Sequence, residues 1–246
     1  MSTQTFTLLV HGEAGSGKSW LGDTAPGPRL ILDAEGRAKY LPTQAKVFWN
    51  VMHENPPAAD GTWETCIANV PDFDTMEYVY RWLSSGQHGF KSVIVDSLME
   101  IQKRYIDKIV GPHQLDQQDW GSVLRSLELL VRNYRDLVLS VGNPTDCVVF
   151  TVGSKDVNGK MRPLLQGQLA NTLPYFVDTV GYLYTTMEEN NQVTRNLLVQ
   201  PTNNVVAKDG TGRMPGPIVQ HPNVTQMFGL LNGFETQPAA QPAEAE

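Results

Sequence analysis

The chain has 246 residues, 41% of them hydrophobic, and carries 19 basic against 26 acidic side chains for a formal charge of −7. That size suits one large domain burying roughly 70–75% of its unfolded surface, and the acidic balance excludes a polycation that coats nucleic acid through its overall field. Cys66 and Cys147 have no metal-type spacing, no apolar run approaches the roughly 18 residues of a membrane span, and no basic segment leads an apolar one at the N-terminus, so the expected setting is the reducing cytoplasm, away from membranes.

In chain order, Phe6 to Val10 is a short β-rich run, and Gly12-Glu13-Ala14-Gly15-Ser16-Gly17-Lys18-Ser19 follows it at once. Every fixed position of the phosphate-loop pattern G-x-x-x-x-G-K-[ST] is filled. Gly12 and Gly17 let the backbone curl with its N–H groups inward, Lys18 reaches the β and γ phosphates of ATP, and Ser19 offers a hydroxyl to Mg²⁺. The helix that follows must be short, because Pro26-Gly27-Pro28 stops it. Leu30-Ile31-Leu32 forms a buried strand ending at Asp33, and Val47 to Val51 a further one before the loop through Asn55-Pro56-Pro57 and Asp60-Gly61.

A helix is predicted from Asp72 or Asp74, with Phe73, Met76, Val79 and Leu83 on one face and Ser84-Ser85-Gly86 closing it. Val93-Ile94-Val95 reads as a parallel strand covered on both faces. Asp96-Ser97 caps a helix carrying Leu98, Ile101, Tyr105 and Ile109, which Gly111-Pro112 ends. Apolar residues at 123, 127, 130, 134, 137 and 141 predict a helix over Ser122 to Val141, and Cys147 to Phe150 another buried strand. Val177 to Thr186 and Val193 to Val199 flank Glu188-Glu189-Asn190-Asn191 as a β-hairpin. Strands alternating with helices imply an α/β fold with a mainly parallel central sheet, helices on both faces and an antiparallel C-terminal hairpin. Residues 1–234 form this core, and 235–246, built from Pro, Ala, Gln, Thr and Glu, are expected to be a disordered acidic tail.

Ligands collect beyond the carboxyl ends of parallel strands, so Asp33, Glu35 and Asp96 are expected to converge where Lys18 sits. Asp96 fits a carboxylate holding Mg²⁺ directly or through water, the plainer alternative being a helix cap. Glu35 suits the polarisation of a water for in-line attack on the γ phosphate, the alternative being a solvated acidic turn.

The loop of residues 12–19, together with Leu32-Asp33-Ala34-Glu35-Gly36 and Val93-Ile94-Val95-Asp96-Ser97, resembles the RecA-like P-loop ATPase core. Gln118-Asp119-Trp120-Gly121, Val148-Val149-Phe150-Thr151 and Ala207-Lys208-Asp209-Gly210-Thr211-Gly212-Arg213 look like its small phage branch, the RecA-like single-strand annealing proteins. The resemblance implies a Mg²⁺-dependent ATPase in which Glu35 is the catalytic glutamate. It also implies binding of single-stranded DNA, promotion of annealing or strand pairing, a homo-oligomer, a single-strand binding protein as a partner, and the host cytoplasm as location if a phage encodes the chain. Thr151 stands near the place of the family's glutamine-type sensor. Lys208 and Arg213 lie where such ATPases carry cations that act on a neighbouring subunit's nucleotide, the alternative being a surface turn with Lys208 paired to Asp209.

DNA contacts are expected from Ser154 to Leu173, where Lys155, Lys160 and Arg162 face only Asp156 in a segment that Gly159 and Gly167 make flexible, the alternative being an ordinary solvated loop. Other readings of the same motifs are a helicase loader or remodelling ATPase, a small-molecule kinase, and a nucleotide-binding scaffold, because fold does not decide among them.

Overall fold

A computed structural model describes residues 3–111 and 116–234; the expected acidic tail and Pro112 lie outside them. The strands in chain order are β1 (Phe6–Gly12), β2 (Arg29–Asp33), β3 (Lys46–Trp49), β4 (Thr65–Asn69), β5 (Ser92–Asp96), β6 (Cys147–Val157), β7 (Lys160–Pro163), β8 (Thr179–Met187), β9 (Val193–Leu198), β10 (Lys208–Asp209) and β11 (Ile218–Gln220). The helices are α1 (Lys18–Gly22), α2 (Phe73–Ser84), α3 (Leu98–Val110), α4 (Gln117–Asp136), α5 (Leu169–Thr172) and α6 (Val224–Asn232).

The sheet runs β11-β9-β8-β1-β6-β5-β2-β4-β3, with β10 joined to β8 and β7 to β6. From β8 to β3 every neighbouring pair is parallel, and the pairs involving β7, β9, β10 and β11 are antiparallel. The α/β class and the C-terminal hairpin are therefore as the sequence predicts.

Side chains alternate across the central strands and feed two cores. Leu9, Leu32, Val95 and Phe150 pack with Met76 and Val79 of α2, Ile101 of α3 and Leu127 of α4. Leu8, Val10, Ile94 and Val149 pack on the opposite face with Leu21 of α1 and Met227 and Leu231 of α6. Cys66 and Cys147 are buried free thiols inside these layers, and burial pushes both up to about 12. Among the described residues no helix is long and apolar enough to cross a membrane.

Several boundaries differ from expectation. β4 was not foreseen, and α4 begins at Gln117 rather than Ser122, because Asp116 and Asp119 form a reciprocal capping box one turn before the apolar stripe starts. That helix ends at Asp136 and passes into a 3₁₀ turn at Leu137–Leu139. The segment expected to be a flexible loop from Ser154 onward is instead ordered: β6 runs on to Val157 and pairs with β7 across a turn at Asn158 and Gly159, both at positive φ.

Candidate nucleotide site

β1 is wholly buried and delivers the chain at Gly12 to the carboxyl edge of the sheet. The tight approach there requires glycine: a Cβ on Gly12 would stand 2.4 Å from the Leu183 carbonyl of β8 and 2.8 Å from Ser16 Oγ. Gly17 adopts the left-handed conformation at φ 97°, and a Cβ on it would lie 2.6 Å from Arg195 Nε. Glu13, Ala14, Gly15 and Ser16 form the turn between them, closed by Ser16 N donating to the Glu13 carbonyl at 3.3 Å. Ser16 Oγ is buried with no hydrogen-bond partner among the described residues.

The loop borders a cleft of about 850 Å³ that Lys18, Ser19, Glu35 and Asp96 also line. Lys18 for the phosphates, Ser19 and Asp96 for the metal, and Glu35 as the expected base thus share one wall system, supplied by the ends of β1, β2 and β5. Lys18 Nζ donates to the carbonyls of Glu13 at 2.8 Å and Gly12 at 3.1 Å. Burial holds its ammonium below the ordinary lysine range, opposed by the carboxylates of Asp96 and Glu35.

Asp96, at the end of β5, is 5% exposed. Burial pushes its carboxyl up; hydrogen bonds from Thr151 and Ser19 work the other way, and the charges of Glu35 and Asp33 add to the rise. Thr151 Oγ1 of the adjacent β6 donates to Asp96 Oδ1. The residue of undefined role in the sequence is therefore a direct partner of the metal-type carboxylate.

Ser97 occupies the position preceding α3 but makes no side-chain cap bond. Its hydroxyl donates to Glu35 Oε1 at 2.6 Å instead, so the expected cap is a clamp on the candidate base. Asp33 organises the turn that presents Glu35: its carboxylate accepts backbone N–H groups from Glu35, Gly36, Arg37 and Ala38 at 2.8–3.3 Å. Glu35 Oε2 lies 3.9 Å from Arg37 Nε, and the carboxyl remains partly open to the cleft.

The donor set suits Mg²⁺. Among the described residues there is no group of three or more His, Cys, Asp or Glu that could hold a metal, and Mg²⁺ bound beside phosphates uses one or two protein oxygens with water completing its shell. Ser19 and Asp96 would hold it there, and it would neutralise charge on the β and γ phosphates. The buried Ser16 hydroxyl and the glycine cradle are polar surface shaped for an anion.

Five other expected residues lie outside this cleft, and the hairpin that carries three of them borders it. Lys208 Nζ donates to the carbonyls of Val177 at 2.6 Å and Pro174 at 3.4 Å, and its strand pairs with Val180, level with Leu9 rather than with the loop. Asp209 does not pair with Lys208; its carboxylate accepts from the backbone of Thr211, Gly212 and Met214. Arg213 is exposed on that turn. Lys155 donates to the Leu165 carbonyl at 3.0 Å and Arg162 to Asn171 Oδ1 at 3.1 Å, while Lys160 opens β7 and is half-buried. The hairpin that carries them leaves the cleft edge at Gly153 and Ser154, both of which line it.

Several lining residues escaped sequence reasoning, Lys103 and Arg104 of α3 among them, and two others stand beside the phosphate loop itself. Trp20 and Arg195 both line the cleft, with the Arg195 guanidinium 4.9 Å from the Trp20 ring centroid. An isolated arginine in a strand 178 positions after Gly17 gives no local signal; only the pairing of β8 with both β1 and β9 brings it to the loop.

No curated protein matches the chain. Similar solved structures include a prototypical ATPase from the type III secretion system of pathogenic bacteria, at 14% identity and TM-score 0.45, covering 74% of this chain and 52% of that one. They also include a KaiC-like protein from the hyperthermophilic archaeon Pyrococcus horikoshii OT3, at 15% identity and TM-score 0.42, covering 88% of this chain and 89% of that one. The chain spans about half the length of the secretion-system ATPase. A family model described as an AAA domain matches residues 5–211, and with the phosphate loop and its carboxylates in one cleft, the chain belongs to the AAA domain family.

Proposed function

We propose that the chain is a Mg²⁺-dependent ATPase of the RecA-like type that binds single-stranded DNA and promotes annealing or strand pairing. The observation that carries the ATPase reading is the convergence of Lys18, Ser19, Asp96 and Glu35 on one cleft. In this reading the loop backbone and Lys18 hold the phosphates, and Ser19 and Asp96 hold the metal. Glu35, oriented by Ser97, takes the proton of the attacking water. Support for DNA binding comes from the basic β6–β7 hairpin, which grows from the strand whose Thr151 bonds Asp96 and so ties the hairpin to the hydrolytic centre.

Hydrolysis measured with and without single-stranded DNA tests both halves. The parent protein is expected to turn over ATP faster with DNA. Lys18→Ala is expected to lose nucleotide affinity, whereas Glu35→Gln keeps binding and loses about 10²-fold or more in turnover, the usual worth of a general base. Parent-rate hydrolysis by Glu35→Gln would remove Glu35 as the base. Stimulation by a protein rather than by DNA would favour a helicase loader or remodelling ATPase, a reading supported by the internal hydrogen bonds that already occupy Lys155 and Arg162.

A further inference from the structure

Arg195 sits on β9, whose partner β8 flanks β1 on the side away from β6, β5 and β2. Its side chain lies along Gly17, where an added Cβ would meet Nε at 2.6 Å and Cδ at 3.1 Å. The guanidinium then covers the face of Trp20, itself 48% exposed on α1. Nε is buried without a hydrogen-bond partner, and among the described residues no carboxylate forms an ion pair with Arg195.

A guanidinium is permanently charged and its planar fork matches phosphate oxygens. Buried polar atoms are rarely left without a partner, so one that lacks a partner beside a cleft points to a ligand. Here the charge is held by an aromatic face and a glycine backbone, with no acidic residue to neutralise it. Lys18 lies on the same loop, so the glycine cradle has cations on two sides.

We propose that Arg195 binds, in the same subunit, the α or β phosphate of the nucleotide, with Trp20 as the platform that fixes its fork. This rests on the nucleotide reading of the cleft and adds a residue that acts in cis, distinct from Lys208 and Arg213. The sheet order decides which phosphate it takes. Glu35, Asp96 and Ser97 come from β2 and β5, on one side of β1, whereas Arg195 comes from the opposite side. The hydrolysed end of the nucleotide belongs beside the carboxylates, so the end that remains after hydrolysis falls to Arg195.

Equilibrium binding of ADP and of ATP, each with Mg²⁺, is the test. Arg195→Gln keeps the stem beside Gly17 and removes the charged group that covers Trp20. It is expected to weaken ADP and ATP by the same factor, about tenfold or more, with the loss in hydrolysis falling on KM rather than kcat. Arg195→Lys is expected to recover part of that affinity, and Trp20→Leu, which leaves the charge but removes its platform, to lose about two- to fivefold. Parent affinity for ADP in Arg195→Gln would overturn the proposal, as would a loss confined to ATP, which would put the guanidinium on the γ phosphate. A parent protein that binds neither nucleotide would overturn the nucleotide reading and this assignment with it. A thermal melt without nucleotide accompanies each variant. Because Arg195→Gln and Arg195→Lys both preserve the packed stem, a difference between them reports the charge rather than folding, and the gap between Arg195→Lys and the parent reports the geometry of the fork.

Discussion

His11, one residue before the phosphate loop, is fully buried on β1 and shows how tightly the loop is anchored. Its Nε2 lies 2.6 Å from the Val206 carbonyl and its Nδ1 2.8 Å from Ser154 Oγ. A carbonyl only accepts, so the neutral ring carries its proton on Nε2 and Nδ1 accepts from the Ser154 hydroxyl. Burial lowers its pKa to about 4, the Val206 bond works against that, and the charge of Lys18 adds to it. Below pH 6.5 the unfolded chain takes up a proton that the native one refuses, so stability falls as pH drops from 6.5 towards 4 and levels off below. The size of this contribution is about 3 kcal/mol. Urea midpoints across that range are expected to show the slope in the parent protein and its absence in His11→Gln; parallel profiles would take His11 out of the acid response. Nothing in the sequence distinguishes this histidine from a solvated one, because its partners are 143 and 195 positions away.

At the scale of elements, the β6–β7 hairpin is the feature that most changes the sequence reading. Glycines at 159 and 167 suggested mobility, yet Gly159 serves the turn, and Leu165 and Leu169 beyond the hairpin are buried in the core. A hairpin offers its three cations in fixed register, with Lys155 opposite Arg162 and Val157 opposite Lys160. Replacing Lys155, Lys160 and Arg162 together by Gln is expected to weaken single-stranded DNA binding and to reduce the slope of log K against log salt by about 2, at roughly 0.7 per lost phosphate contact. An unchanged slope would move the DNA site elsewhere. The elements that were legible, β1, β2, β5, α2 and α3, have either a mainly apolar run or an apolar helical stripe, and α2 has in addition a capping side chain at Asp72. β4 was not, since Thr65-Cys66-Ile67-Ala68-Asn69 is short, lacks alternation and owes its conformation to parallel neighbours on both sides. The loop and its carboxylates could be read because a motif fixes their spacing; Ser97's bond to Glu35 and the Trp20–Arg195 pair depend on which strands become neighbours.

For the whole molecule, the homo-oligomer is a proposal, and it requires groups that reach a neighbour's nucleotide. Lys208 and Arg213 lie off the cleft of their own chain, which is where cations serving a neighbour's nucleotide would stand. If they act so, mixing Arg213→Ala with Glu35→Gln, each nearly inactive alone, is expected to restore ATP hydrolysis at interfaces that combine an intact base with an intact arginine. No recovery in confirmed mixed oligomers would count against action in trans.

The strand order also governs when the site can exist during synthesis. β1 finds its two neighbours in β6 and β8, which begin at Cys147 and Thr179. The ribosome therefore releases the complete phosphate loop and both carboxylates long before β1 has an edge to join. Closing such distant pairings costs loop entropy before contacts repay it. In that interval Phe-Thr-Leu-Leu-Val is an apolar strand with both edges bare, the kind of segment that invites pairing with another nascent chain. The frame around the phosphate loop is thus completed late, in steps: β6 gives β1 its first edge, β8 its second, and β9 brings Arg195 to the loop last.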